Sequence, residues 1–432
     1  MDSSRWRKLG LCAALALSAC GGGGGGGDDP GALVALSGSR GGDATAASGP
    51  PPRHRVPKVE RTTWTVAFQQ ADAQAVRHGL SSRNGLLAFT VTTEEGPRAR
   101  MFDGQAVHEL VDPKAASAIA VNDSGQVAGQ FENTGNRELF RWQALTETTT
   151  SDVIGTPPDI STTGQAINSN GAISGNISDR RNFPGAAMRW APGTLRQVLA
   201  ELDTGPLTHS NGLFINAAGA VAGVSDTPDR QVHAAFWGAG SADVLDTGTS
   251  GGANSAPTDL NDAGQVVGQA DDANGDPRAF LWTEREGLRD LGTLGGATAT
   301  ANALNASGVV VGTADTSDGA TEAFLWRDGN LRSLGTLGGR SSAASAINGS
   351  GLVVGNSDTE NGVPHAFAWT ERMGMVDLNN RLSGQSPSPG VLQTVLAVAD
   401  NGTILAVAEG GTLVLLRLSD DDRRKHKDKD PH

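Results

Sequence analysis

Apolar residues in this chain come in short Val, Ile and Leu runs that are bounded by Gly, Asn, Asp or Ser. Short runs separated by turn-forming residues predict many short β-strands, and they argue against long helices. The pattern extends from about residue 61 to residue 418 and is missing on both sides. We therefore predict one large all-β domain over residues 61–418.

The apolar runs of this domain recur in a repeated frame. Each copy has an apolar residue, an Asn, two linking residues, a Gly, an apolar run and a second Gly, as in Asn302–Gly312 and Ser345–Gly355. The Asn and Gly suit a tight turn with positive φ. The predicted turn asparagines are Asn122, Asn168, Asn216, Asn261, Asn305 and Asn348. Two degenerate copies carry Ser82 and Ala399 in this place, so the frame predicts eight units.

A tryptophan follows each of these asparagines at a nearly constant distance. These residues are Trp142, Trp190, Trp237, Trp282, Trp326 and Trp369. Each lies in a strand with alternating apolar positions, which predicts that the tryptophans belong to the core of the repeat. The alternative is an exposed ladder of aromatic rings that recognises a ligand.

Each unit can be divided into four short strands, and four antiparallel strands in a period of this length are typical of a β-propeller blade. We predict an eight-bladed propeller; the alternatives are a seven-bladed ring with one unit outside it and an open β-solenoid. The last unit, Val391–Leu418, has room for three strands only. Trp64–Phe68 precedes the first unit and is predicted to supply the fourth strand, closing the ring and covering its edges.

The repeat resembles a bacterial extracellular family named HAF after a His-Ala-Phe run, which stands here as His365-Ala366-Phe367. Of the other units, only the one with His233 keeps the histidine in phase. The resemblance is strongest over residues 210–380. It implies an exported, repeat-built protein, and it implies no particular activity.

The first residues have the composition of an export leader. Arg5, Arg7 and Lys8 precede an apolar stretch that is too short to span a bilayer. The following Leu17-Ser18-Ala19-Cys20 resembles the lipobox of bacterial lipoproteins. We expect a signal peptide over residues 1–19, lipidation at Cys20, a Gly- and Pro-rich tether over residues 20–60, and a charged tail over residues 419–432. Because Gly rather than Asp follows Cys20, the resemblance points to the outer membrane, with a periplasmic or surface-exposed domain.

Charge and side-chain chemistry narrow the function further. A formal net charge of −13 makes nucleic acid an improbable partner. The histidines show no metal-ligand spacing, and no cofactor motif stands in a fitting context, so we predict no cofactor. The acidic hairpins at Asp271–Asp276, Asp315–Gly319 and Asp358–Gly362 leave Ca²⁺ as an alternative.

These observations favour a membrane-anchored binding or scaffold module whose ligand is a protein or a glycan. The alternative is an enzyme that cleaves extracellular polymers, such as a carbohydrate hydrolase or lyase, with carboxylates at one mouth of the ring. The sequence shows no conspicuous departure from symmetry of the kind that a catalytic site needs, and it names no catalytic residue.

Overall fold

The computed structural model describes residues 62–70, 73–110, 116–133, 135–145, 151–153, 160–179, 183–205, 208–383 and 388–419. The leader, Cys20 and the tether predicted above lie outside this range. The described chain is built almost entirely of β-strands, with two short 3-10 helices, η1 (Leu378–Arg381) and η2 (Glu409–Gly411). No described helix has the length and apolar character that crossing a membrane requires.

The strands form antiparallel sheets of four, each built from consecutive strands except the last. Blades 1 to 4 contain β2 (Ala73–Leu80), β3 (Leu87–Thr93), β4 (Gly96–Phe102) and β5 (Val107–Glu109); β6 (Ala116–Val121), β7 (Gln126–Asn133), β8 (Asn136–Gln143) and β9 (Ser151–Val153); β10 (Ile160–Ile167), β11 (Ile173–Asp179), β12 (Phe183–Trp190) and β13 (Gln197–Val198); β14 (Ser210–Ile215), β15 (Val221–Asp226), β16 (Val232–Trp237) and β17 (Val244–Asp246). Blades 5 to 8 contain β18 (Gly251–Leu260), β19 (Val266–Asp272), β20 (Pro277–Thr283) and β21 (Gly287–Asp290); β22 (Gly295–Leu304), β23 (Val310–Thr316), β24 (Thr321–Arg327) and β25 (Asn330–Gly335); β26 (Gly338–Ile347), β27 (Val353–Thr359), β28 (Pro364–Thr370) and β29 (Gly374–Asp377); β30 (Leu392–Val398), β31 (Ile404–Ala408), β32 (Leu413–Leu418) and β1 (Trp64–Gln70).

The strand pairing defines an eight-bladed β-propeller, which confirms the predicted fold. Blades 6 and 7 are joined into one eight-stranded sheet by a single parallel bridge between Thr321 and Ser341. The first strand of every blade contacts the first strand of the next blade from blade 1 through blade 8. Blade 8 returns to blade 1 through a shared apolar cluster that includes Leu405, Leu415 and Phe89.

The ring is closed by the two ends of the domain. β1 pairs antiparallel with β32, and Trp64, Val66 and Phe68 lie opposite Leu418, Leu416 and Leu415. Trp64 is fully buried in an apolar cluster that joins blades 7 and 8. The strand predicted at Trp64–Phe68 therefore forms, as the outermost strand of blade 8.

A glycine on the second strand lets a phenylalanine of the third strand lie flat across it. Gly312 pairs with Phe324 across β23 and β24. A Cβ at Gly312 would lie 2.0 Å from the Thr300 carbonyl oxygen and 2.9 Å from the Phe324 ring. Gly268 with Phe280 and Gly355 with Phe367 repeat this contact. The second glycine of the repeat frame is thus required by packing inside the blade.

Candidate functional site

The propeller has two faces with different connections. The turn face carries the turns between first and second strands and the connections between third and fourth strands. These two kinds of connection lie close together, because the Arg189 guanidinium donates to a carbonyl of each. Gly219 lies in a turn between first and second strands, and Gly238 lies in a connection between third and fourth strands. The loop face carries the hairpins between second and third strands and the crossovers to the next blade, which meet in bridges such as Leu294 with Thr316.

The repeat asparagines form a belt of hydrogen bonds on the turn face. In Asn305, Oδ1 accepts the N–H groups of Ser307 and Val309 inside its own turn. Its Nδ2 donates to the carbonyl of Asn348 in the next blade at 3.2 Å. The side-chain amides of Asn122, Asn168, Asn216, Asn261, Asn305 and Asn348 all donate to the next blade in this way, and the last of them reaches Ala399.

This belt corrects the sequence-based explanation of the turn. The left-handed conformation falls on the glycine, with φ of 82° at Gly351, whereas Asn348 is not among the residues with positive φ. The asparagine therefore opens the turn and links two blades. All six are buried, with at most 8% of the residue's surface exposed.

Other groups form the hydrogen bonds of the belt between blades 8 and 1 and between blades 1 and 2. Asn401 of blade 8 donates from Nδ2 to the Asn84 carbonyl at 2.7 Å. The degenerate place in blade 1 is filled by Ser81, not Ser82, because the Ser81 hydroxyl accepts the Leu86 N–H within the turn. Asp123 Oδ1 then accepts the N–H groups of Arg83 and Asn84, both at 2.9 Å. Burial works to raise the pKa of Asp123, but these hydrogen bonds hold it below its usual value.

The six tryptophans are buried between neighbouring blades. Trp326 of blade 6 packs against Val267 and Leu281 of blade 5, and Trp282 contacts the Phe236 ring of the preceding blade at a centroid distance of 5.0 Å. Trp369, the most exposed of them, shows 7% of its surface. Arg289 and Arg332 lie over the rings of Trp326 and Trp369. The rings therefore occupy core positions at the blade interfaces and are not arranged as an exposed ladder.

The acidic hairpins of the loop face use their carboxylates to shape their own turns. Asp272 Oδ1 accepts the N–H groups of Asn274 at 2.8 Å and Asp276 at 3.0 Å. These two bonds lower the pKa of Asp272. In the next hairpin, Asp315 accepts the hydroxyls of Thr298 and Thr321. Among the residues that the structure describes, no group of three or more His, Cys, Asp or Glu side chains is arranged to hold a metal ion.

The two histidines in equivalent repeat positions are paired with carboxylates. His233 Nδ1 lies 2.9 Å from Asp246, and His365 Nδ1 lies 2.8 Å from Asp377, each on the fourth strand of the same blade. Burial alone would raise the pKa of Asp246, but the hydrogen bonds from His233 and from the Gly248 N–H lower it. The same place in blade 5 is taken by Arg278, which pairs with Asp290. The pattern indicates cross-strand ion pairs that join third and fourth strands.

The loop face contains a departure from symmetry that the sequence analysis missed. In blades 5 and 7 a serine of the inner strand donates to a backbone carbonyl of the crossover, as Ser342 does to Gly335. In blade 4, Ser210 donates instead to the Glu201 carboxylate at 3.0 Å, and Thr208 donates to the other Glu201 oxygen at 2.6 Å. Beside them, His209 is held by Asp226 through both its backbone N–H and its ring.

The signal for this feature was the spacing of the repeat. Asn168 and Asn216 are 48 residues apart, and Asn348 and Ala399 are 51 apart, whereas Asn305 and Asn348 are 43 apart. The extra residues lie in the crossovers after β13 and β29, which also contains η1. The insertion after β13 lies on the loop face, where Glu201 contacts Thr208 and Ser210. The insertion after β29 extends along the closing strand to its turn-face end, because the Ser383 N–H donates to the Trp64 carbonyl.

The eight innermost strands carry one acidic residue within the described chain, Asp259 on β18. Its carboxylate accepts the Leu260 N–H at 2.8 Å and the N–H of Leu304 in the next blade at 3.0 Å. Burial raises the pKa of Asp259 to about 6 despite these two bonds. Blades 6 and 7 have Ala303 and Ala346 at the same register position.

No protein family model matches the chain, and no curated protein matches it either. Similar solved structures include a streptogramin B lyase, with 11% identity over 83% of this chain and 97% of the other and a TM-score of 0.35. The β-propeller domain of Cps50 (Swd1) from Myceliophteria thermophila has 11% identity over 81% and 97%, with a TM-score of 0.43. TolB from Acinetobacter baumannii has 14% identity over 70% and 80%, with a TM-score of 0.35. At these values the fold assignment rests on the strand pairing of this chain itself.

Proposed function

We propose that this protein is an exported lipoprotein that is anchored through Cys20 and uses its propeller as a binding or scaffold module for a protein or glycan ligand. The lipobox and the resemblance to the HAF repeat family support the export and the anchor. The propeller supports the binding role, because it offers a rigid ring whose loops can vary without disturbing the core. The outer membrane is the proposed location, on the strength of Gly21.

The single acidic residue on the inner strands favours binding over polymer cleavage. Glycoside hydrolysis of the common kind needs a pair of carboxylates flanking the scissile bond. Asp259 is the only acidic residue on the inner strands within the part of the chain that the structure describes, and its oxygens accept two backbone N–H groups. The features that could give specificity, such as the crossover with Glu201, lie instead among the loops of one face.

The anchor is tested by growing cells with an alkyne fatty acid and isolating the protein. We expect label on the parent chain and none on the Cys20→Ser variant, which should appear in the soluble fraction. A Cys12→Ser variant is the matched control, because this residue lies in the leader and should not affect labelling. Equal labelling of all three chains would contradict the lipid anchor.

The binding role is tested with the chain from Cys20 to His432, carrying Cys20→Ser, on arrays of envelope glycans and extracellular proteins. A ligand of the loop face should lose affinity when Glu201→Gln removes the charge that holds Thr208 and Ser210. The control is Glu284→Gln on the turn face, which is exposed and should bind like the parent. Turnover of an array glycan by the parent chain would favour the enzyme instead.

A further inference from the structure

Both ends of the propeller domain leave from the turn face. The Ser419 N–H donates to the Thr63 carbonyl at 3.0 Å, and the two side-chain hydroxyls lie 2.7 Å apart. The Trp64 indole donates to the carbonyl of Gly402, which lies in a turn of that same face. The segment that connects Cys20 to the domain therefore joins it on the turn face.

Charge is distributed unequally between the faces. On the loop face of blades 5 to 7, three successive hairpins contain only acidic charges, and Arg278 and Arg340 are the basic residues beside them. The acidic residues of these hairpins are Asp271, Asp272, Asp276, Asp315, Asp318, Asp358 and Glu360. On the turn face of the same blades, each connection between third and fourth strands combines an exposed arginine with acidic neighbours: Arg285 lies between Glu284 and Glu286, Arg327 beside Asp328, and Arg372 beside Glu371. An anionic membrane surface repels the loop face and tolerates the turn face.

The attachment point and the charge distribution are independent observations that point the same way. We propose that the anchored protein turns its turn face toward the membrane and presents the loop face away from it, so that the loop face meets the ligand. This inference rests on the proposed anchor at Cys20. The insertion after β13 is then the feature that distinguishes one part of the outward surface from another.

The orientation is tested with the chain from Cys20 to His432 coupled through the Cys20 thiol to a maleimide lipid. This thiol is unique in that chain, because Cys12 lies in the leader. The vesicles contain phosphatidylethanolamine, phosphatidylglycerol and a nitroxide-labelled headgroup lipid. A fluorophore is attached through an unnatural amino acid at Asn274 on the loop face or at Asn330 on the turn face, both exposed and uncharged.

We expect the fluorophore at position 330 to be quenched at least about twofold more than that at position 274, since a charge near an anionic surface shifts such an equilibrium several-fold. Raising the salt concentration should reduce the difference, because it shortens the Debye length from about 30 Å at 0.01 M to about 3 Å at 1 M. Equal quenching, or stronger quenching at position 274, would overturn the proposed orientation.

Failure of the anchor and failure of the orientation give different results. Chemical coupling supplies the attachment in the vesicle experiment, so its outcome does not depend on acylation in the cell. Acylation is measured separately by mass spectrometry of Cys20 in protein isolated from cells. The uncoupled chain carrying Cys20→Ser is the control for the vesicles, and neither of its labelled positions should be quenched.

Discussion

At the residue scale, the tryptophans show how one side chain can hold two blades together. Trp326 shares one apolar cluster with Val267 and Leu281 of the preceding blade. Arg289, from the same preceding blade, lies over its ring at 5.2 Å from the centroid. This packing joins neighbouring blades. Loss of one of these tryptophans should therefore weaken the closed ring more than it weakens a single blade.

Trp326→Ala should lower the free energy of unfolding by about 3 to 5 kcal/mol, because it removes a buried aromatic ring and leaves a cavity between blades. The neighbouring Arg327→Ala is the control, since Arg327 is exposed at the end of the same strand. Urea unfolding followed by fluorescence measures both variants. Unchanged stability of Trp326→Ala would contradict its place in the core.

Asp259 predicts a pH dependence of stability. Its folded pKa of about 6 is above the ordinary value of 3.8, so the folded chain binds this proton more tightly than the unfolded chain does. The contribution of this group to stability is therefore complete below about pH 4 and is lost as the pH rises through 6. Relative to the parent, Asp259→Asn should gain about 2 kcal/mol of stability between pH 4 and pH 7. At both pH values the variant lacks an acceptor for one of the two N–H groups, because Asn has a single side-chain oxygen.

Urea titrations of Asp259→Asn and the parent at both pH values give this difference directly. Asp272→Asn is the matched control, because the pKa of Asp272 is lowered and its substitution should not stabilise the protein at pH 7. An equal effect of Asp259→Asn at pH 4 and pH 7 would show that Asp259 does not titrate with a raised pKa.

At the element scale, the turn between first and second strands joins neighbouring blades through one asparagine. Asn305→Ala should cost about 1 to 3 kcal/mol, because the buried N–H of Val309 and the carbonyl of Asn348 lose their side-chain partner. Ser307→Ala in the same turn is the control, since that side chain is exposed. Thermal unfolding compares the two; equal melting temperatures would contradict the belt.

The closing strand β1 is the element with the largest expected effect. Deleting residues 62–70 uncovers the hydrogen-bonding edge of β32 and removes Trp64 from its cluster. An exposed edge of this kind invites pairing with other chains, so we expect the deletion variant to be found in aggregates. Thr65→Ala, which leaves the strand in place, should stay soluble. A deletion variant that is soluble and as stable as the parent would contradict closure by β1.

At the scale of the whole molecule, most of the structural predictions made from the sequence came from its repeat. The period, the tryptophan in phase with it and the missing fourth strand after Leu418 each depend on local patterns, and together they imply eight blades and a closing strand. The asparagine belt could not be foreseen in the same way. The acceptor of Asn305 Nδ2 is a carbonyl 43 residues away in the next blade, and no pattern within one unit identifies it.

The candidate site was predicted less well than the fold for a related reason. Glu201 and His209 belong to a crossover that departs from the repeat, so no equivalent residues in another unit indicate a role for them. Their importance appears only when Ser210 and Asp226 are brought beside them by β14 and β15. The charge difference between the faces depends likewise on which turns share a side of the ring.

The central claim is a ring closed by its own two ends, and a cross-link between β1 and β32 tests it most directly. Thr65 and Arg417 are paired across these strands; both are replaced by cysteine in the chain carrying Cys20→Ser, and the oxidised protein is digested and analysed by mass spectrometry. The control pair joins Thr65→Cys to Leu245→Cys on β17, the outer strand of blade 4. We predict an intramolecular disulfide in monomers for the first pair and none for the control. Monomers without a 65–417 cross-link, or with equal cross-linking of both pairs, would contradict the closed propeller.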